Sequence, residues 1–443
     1  MSLDALLKSS LHPIEGGAGD YDPLMRLIGE RHFMLLGEAS HGTHDFYRER
    51  AEITKRLIVE KGFNAVAVEA DWPDAYRINR FVRGEVDGSA EEALSGFKRF
   101  PTWMWRNRDV LEFIAWLRGH NDTLPPLQRV GFYGLDLYSL FTSIAAVLDY
   151  LDQIDPSAAR RARYRYGCLE HFGEEPQQYG YAASFDVSAS CEEEVVRQLL
   201  DLRQMAGKIM LADAHTGPSA AADEFFYTEQ NARLVKNAEE YYRSMFKRRV
   251  SSWNLRDRHM AETLAHLVDY LPSRSGNPTR VAVWEHNSHL GDARATEMGW
   301  SGELNVGQLV REAYGDDAVL VGFTTFAGTV AAASGWDQPV EFKRVREALP
   351  GSVELLFHET GVARFLLPMR GNRALEALRE PLLERAIGVI YLPQTERSSH
   401  YFRTRLYDQF DAVLHFDRTT AVEPLDRTSE RSTEPPETFP SGI

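Results

Sequence analysis

Cysteine is scarce: the 443 residues include only Cys168 and Cys191. A chain this long buries enough core to need neither disulfide nor structural metal. So few thiols fit a reducing compartment, with one incidental disulfide as the alternative. No apolar run approaches the ~20 residues of a membrane helix. The opening residues Met1 to Lys8 form no basic-then-apolar leader, so a cytoplasmic protein is expected. Excess positive charge is also lacking. The net charge of −15 argues against nucleic acid or an anionic membrane as a partner and favours solubility. The common catalytic signatures are absent too: no G-x-S-x-G elbow, H-E-x-x-H helix, phosphate loop or G-x-G-x-x-G fingerprint occurs. Ser40 lacks the flanking glycines of a nucleophile elbow, and neither cysteine lies near a histidine in a nucleophile motif.

What is present is a strand-to-helix turn rich in ionisable groups. Phe33-Met34-Leu35-Leu36 reads as a short buried strand, and Tyr47 to Lys61 as a helix. Between them lie Glu38, His41 and His44, with Gly37 and Gly42 free to turn sharply and approach a ligand. In open α/β sheets, ligands sit beyond the carboxyl ends of strands. Ala65 to Glu69 reads as a second strand in a parallel βαβ unit, which brings Glu69 to the same edge. Arg129 to Asp136 repeats the pattern. Arg280 to Trp284 repeats it again, ending in Glu285-His286-Asn287-Ser288-His289.

The expected architecture is α/β: a central, mostly parallel sheet flanked by helices, with a large helical insertion capping the strand-end cleft. Residues 1–136 form the first part of the core. Residues 137–271 show almost no strand signal and read as a helical lid, through patterns at Leu140 to Leu151, Glu192 to Ala214, Asp223 to Phe246 and Asn254 to Tyr270. Residues 272–427 complete the core, with strands at Asp317–Phe323, Arg364–Leu367, Ala386–Tyr391 and Phe410–Phe416 and a helix from Ala374 to Glu384. A Thr/Gly/Ala-rich segment follows Phe323 as far as Ala333. Residues 428–443 are rich in Ser, Pro and Glu and read as a disordered tail.

A His and carboxylate constellation without a side-chain nucleophile favours direct activation of water. His41 is the candidate general base, since imidazole titrates near neutrality. Glu38 or Glu69 would hold its tautomer, and Arg50 would orient those carboxylates or stabilise an oxyanion, with Arg48 and Arg56 as alternatives. His286 and His289 complete the set as acid/base groups or oxyanion donors. His44, Trp103, Trp105, His400 and Tyr401 are candidate substrate contacts, although Trp103 and Trp105 read almost equally as core, and Trp116 more so. No cofactor is required on this reading. A metal reading competes, in which Glu38, His41, Glu69, Glu285, His286 and His289 supply nitrogen and oxygen ligands to zinc or manganese.

Gly37-Glu38-x-x-His41 with Arg50, Glu69 in Val-Ala-Val-Glu-Ala, and His286-Asn-x-His289 resemble the erythromycin esterase family, over roughly Leu24 to Asp426. The resemblance implies an α/β fold with helical elaboration, a deep cleft, and opening of a 14-membered macrolide lactone by water. By position, His41 matches the family's general base, and Glu38, Arg50, Glu69, His286 and His289 match its other active-site residues. The expected partner is a small-molecule ester. The wider superfamily includes metal-dependent proteases and a haem-binding lipoprotein, so a metal-dependent hydrolase and a non-catalytic binder of haem or another planar ligand stand as alternatives.

Overall fold

The computed structural model describes residues 3–170, 179, 182–183, 190–213, 220–245 and 249–426. The tail expected from 428 onward lies outside them, as do the ends of two expected helices at Ala214 and Phe246. Eleven strands are described: β1 His12–Pro13, β2 Phe33–Leu36, β3 Ala65–Asp71, β4 Gly131–Asp136, β5 Val281–Trp284, β6 Ala318–Ala332, β7 Glu341–Val345, β8 Arg364–Pro368, β9 Leu382–Arg385, β10 Tyr401–Thr404 and β11 Ala412–Thr419. Nine form one sheet in the order β1-β8-β11-β6-β2-β5-β3-β4, with β7 also on β6. From β11 to β4 the pairs are parallel; β8, β1 and β7 are antiparallel additions at the margins.

Strands buried on both faces need no polar alternation, and β2 and β5 have none. Phe33, Leu35, Val281 and Val283 pack into one core. Met34, Leu36, Ala282 and Trp284 pack into the other. The helix His44–Lys61 carries the chain from β2 to β3 and stops at Gly62, whose φ of 67° is left-handed and suits glycine. β2 and β3 are parallel but not adjacent: β5, more than 200 residues on, enters between them and pairs with both. The ends of β2, β5, β3 and β4 therefore lie side by side.

Between β4 and β5 the described residues form helices Leu140–Ile154, Pro156–Glu170, Glu192–Asp213, Ala220–Met245 and Arg249–Ser275. Cys168 and Cys191 are joined in a disulfide with Cα atoms 6.0 Å apart, so the pairing kept as the alternative is the one the structure has.

Three expected elements differ. The strand expected to stop at Phe323 continues to Ala332 as β6, because its Thr/Gly/Ala-rich half pairs with β11 and β7. The expected helix Ala374–Glu384 is a 3-10 helix over Arg373–Arg379; Pro381 cannot continue a helix, and the next four residues form β9 against β10. The expected strand Ala386–Tyr391 makes only isolated bridges, Ile387 to Ser40 and Ile390 to Ala333.

Candidate active site

The turn after β2 is fixed from behind. A Cβ at Gly37 would overlap Asn287 Oδ1, and one at Gly42 would overlap the Ala331 carbonyl. These glycines therefore admit neighbouring protein, not the ligand expected there. Asn287 in turn bonds both backbone groups of Phe323, at 2.8 and 3.2 Å, and this pins the His286–His289 turn to β6.

His41 Nδ1 donates to Glu38 Oε1 at 2.9 Å, and Arg50 Nη2 donates to Glu38 Oε2 at 2.7 Å. The Arg50 guanidinium lies 4.4 Å from the Tyr47 ring and 5.2 Å from that of Trp284, and Tyr47 Oη donates to the His41 carbonyl at 2.8 Å. With its Nδ1 proton spent on Glu38, His41 presents a lone pair at Nε2, and that atom is buried without a hydrogen-bond partner. The His286 ring stands 4.9 Å away. Ser288 donates to His286 Nδ1 through both Oγ, at 2.8 Å, and backbone N–H, at 3.2 Å. This network assigns the His286 proton to Nε2, so its free Nε2–H is a donor. Burial, with His41 close by, holds the His286 pKa well below its usual value and keeps the ring neutral. Such a weak base does not activate Ser288 as a nucleophile; Ser288 sets the tautomer instead.

The second half of the site is an ion-pair network. Arg256, from helix Arg249–Ser275, donates to Glu69 at 2.7 Å and to Asp136 at 2.7 and 3.0 Å. Glu69 also accepts the His286 backbone N–H at 2.8 Å. Burial opposes a charge on Glu69, but His289, His41 and Arg256 outweigh it and hold its pKa far below the carboxylate range. His289 donates from Nδ1 to Asp257 at 2.9 Å, while its Nε2 faces the Arg256 Nη1 donor at 3.0 Å and lies 3.5 Å from Glu69. Burial disfavours its charge, yet Asp257 and Glu69 raise its pKa to about 9. Trp253 stacks on its ring at 4.5 Å.

Glu38, His41, Arg50, Glu69, His286 and His289 thus come together from four stretches of chain, and none is more than 2% exposed. The expectation is a deep cleft capped by helices; in this structure Trp253, Arg256 and Asp257 of helix Arg249–Ser275 contact the strand-end residues and are themselves buried. Arg50 is the buried arginine of its helix, whereas Arg48 pairs with Glu49 and Arg56 with Asp22 and Glu60.

No described contact joins the other candidates to this cluster. His44 is half-exposed and bonds Asp109. Trp103 and Trp105 pack in the core, Trp105 edge-on to Tyr47. Trp116 is only partly buried and stacks on His120. His400 and Tyr401 sit beside Tyr391 and Arg385 at the β9–β10 hairpin. Sequence reasoning missed Arg256, Asp257 and Trp253. Their signal was a charged pair on an otherwise apolar helix stripe, since Trp253, Arg256, Asp257 and Met260 share one buried face.

Among the described residues no group of three or more His, Cys, Asp or Glu is placed to hold a metal ion. Glu38 and Glu69, which a metal would need, are taken by Arg50 and Arg256, so no step is routed through a metal. A haem fits no better: the His41 and His286 rings are too close to admit a macrocycle between them, and His289 Nε2 is already engaged by Arg256 Nη1 at 3.0 Å.

Fold and site together define a mixed α/β protein with a buried cluster of histidines, carboxylates and arginines at the carboxyl ends of parallel strands. The family model for erythromycin esterase matches residues 58–419, and the chain belongs to that family. It is 22% identical over 437 residues to erythromycin esterase type II of Escherichia coli, covering 93% of this chain and 95% of the relative. Among solved structures, a succinoglycan biosynthesis protein superposes with a TM-score of 0.74 at 19% identity, over 95% of this chain and 97% of that one. An erythromycin esterase mutant, EreC in its open conformation, superposes with a TM-score of 0.66 at 17% identity, over 95% and 98%. At those identities the structures speak for the fold alone. Family membership supports a hydrolase of the esterase type. Among the described residues, no helix is long and apolar enough to cross a membrane.

Proposed function

We propose that this chain hydrolyses a carboxylic ester by direct attack of water activated by His41, without a covalent intermediate. The observation that carries the reading is His41 itself: its Nδ1 is fixed by a carboxylate that is itself fixed by Arg50, and its Nε2 is buried and unpaired. A buried polar atom without a partner is costly, and in this position it is a base waiting for a proton.

Water bound between His41 and the ester carbonyl gives its proton to Nε2 as its oxygen attacks carbon. The oxyanion that forms is met by the Nε2–H of His286 and by Arg50, whose Nε and Nη1 are also unpaired. When the C–O bond breaks, the leaving alkoxide takes the proton back from His41, and acid and alcohol depart. Glu69 holds the His286 backbone and Arg256 in register. The name of the E. coli relative makes a macrolide lactone the first substrate to try, and opening one would inactivate the antibiotic. The test is a panel of macrolides and simple esters, followed by mass spectrometry with and without a chelator. The reading predicts addition of one water to at least one ester, unaffected by chelation. Loss of turnover on chelation, restored by added metal, would replace it with the metal-dependent alternative.

A further inference from the structure

The unpaired polar atoms of the site fall into two chemically opposite groups. Apart from the His41 Nε2 lone pair itself, those of the His41 half are donors, Arg50 Nε and Nη1 with His286 Nε2–H, and these suit a carbonyl oxygen. Around His289 they are acceptors: both oxygens of Glu285 and Oδ2 of Asp257. Glu285 follows β5 directly, is 1% exposed, and lies within electrostatic reach of His289, Glu69, Asp257 and Arg256. The ester mechanism uses neither oxygen. Among the described residues, the ion pairs of Glu69, Asp136 and Asp257 go to Arg256 and His289, and Glu285 has none. A buried carboxyl with no partner among three carboxylates is expensive unless a bound group completes it.

We propose that Glu285 and Asp257 form a subsite for a protonated amine, so that the favoured substrates are esters carrying an ammonium group within reach of the scissile bond. Three unpaired acceptor oxygens match the three N–H donors of a primary ammonium, and its charge supplies the cation Glu285 lacks. In the unliganded protein, burial first, then Glu69 and Asp257, push the Glu285 carboxyl well above the usual range, with His289 opposing. It therefore waits in neutral form, and an amine entering as the free base takes the Glu285 proton, so that carboxyl and amine become the carboxylate–ammonium pair and both Glu285 oxygens accept.

This rests on the esterase reading for its turnover test and is independent of it for binding. Wild type and Glu285→Gln are compared on 4-aminobutyl butyrate and its carbon isostere, pentyl butyrate. A charged hydrogen bond in a dry site predicts a wild-type kcat/KM preference on the order of 10- to 100-fold for the amine, collapsing to within about threefold in Glu285→Gln. In parallel, calorimetry on the wild type compares 4-aminobutanol with pentanol, and the amine should bind at least about tenfold tighter. Equal kcat/KM for the two esters in wild type, a preference unchanged in Glu285→Gln, or equal binding of the two alcohols would overturn the subsite. Failure to hydrolyse either ester, with selective amine binding intact, would instead count against the esterase reading and leave the subsite supported.

Discussion

At the amino ends of β3, β4 and β5 the molecule carries an open groove of about 540 Å3, lined by Ile58, Val59, Asn64, Leu127 and Arg280 among others. At the carboxyl ends of the same strands the side chains are shut from solvent. Two of the groove's cations are paired: Arg280 with Glu30 at 2.7 Å and Arg274 with Asp223 at 2.9 Å. The closed end holds His41 Nε2, His286 Nε2 and the Glu285 carboxyl, all buried and unpaired. The two ends thus differ in kind: one is hollow with its ionisable groups largely paired, the other closed with unpaired donors and acceptors.

The largest expected effect strikes the tie between helix Arg249–Ser275 and the strand ends. Arg256→Met leaves Glu69 and Asp136 buried without their cation, which should cost about 3–5 kcal/mol in denaturant unfolding, and turnover should fall with it. A loss under 1 kcal/mol would mean the network is not holding that helix to the sheet.

Next comes a pH signature. His289 has a raised folded-state pKa, so its contribution is fully present below the unfolded value of about 6.5 and is lost as pH rises through about 9. It amounts to roughly 3 kcal/mol, and His289→Gln should flatten the stability profile between those limits. Glu69 acts in the opposite sense: its folded pKa is depressed, so its contribution is present above the unfolded value of about 4.3 and is lost only on strong acidification. Urea melts across the pH range would separate the two, and a wild-type profile flat from pH 6.5 to 9 would contradict the His289 assignment.

A subtler test is Glu38→Gln. The imidazole keeps a neighbour but loses the carboxylate that fixes its tautomer and stabilises its charge, and kcat should drop by about 10²-fold with little change in KM. The smallest effect belongs to the other end of the sheet. Leu127→Ser, at a 44% exposed position in the groove, should change stability by no more than about 0.5 kcal/mol and leave turnover as it was. A marked loss of activity there would break the contrast between the two ends.

The carboxyl-end site was legible wherever its residues come directly off strands. An apolar run followed by Glu or His, repeated after β2, β3 and β5, is a local signal that needs no knowledge of the partner. Asp136 showed the same signal after β4 but lacked a histidine beside it to mark it as part of the site. Arg256 and Asp257 are illegible for a different reason: they sit within a helix, where a charged pair normally faces solvent, and Arg256 is more than 110 residues from its partners on β3 and β4. The β9–β10 hairpin was hidden because Leu382 to Arg385 has helical composition, and only its pairing with Tyr401 to Thr404 makes it a strand. His400 and Tyr401 were placed by proximity to a strand that does not form, so their expected route to the site disappears with it.

The central claim is that one imidazole nitrogen takes the proton from water. The most direct measurement is kcat/KM of His41→Ala against wild type on the best ester found, with folding checked by circular dichroism. The account predicts a loss of on the order of 10²–10⁴-fold with the fold intact; activity within a fewfold of wild type would contradict it.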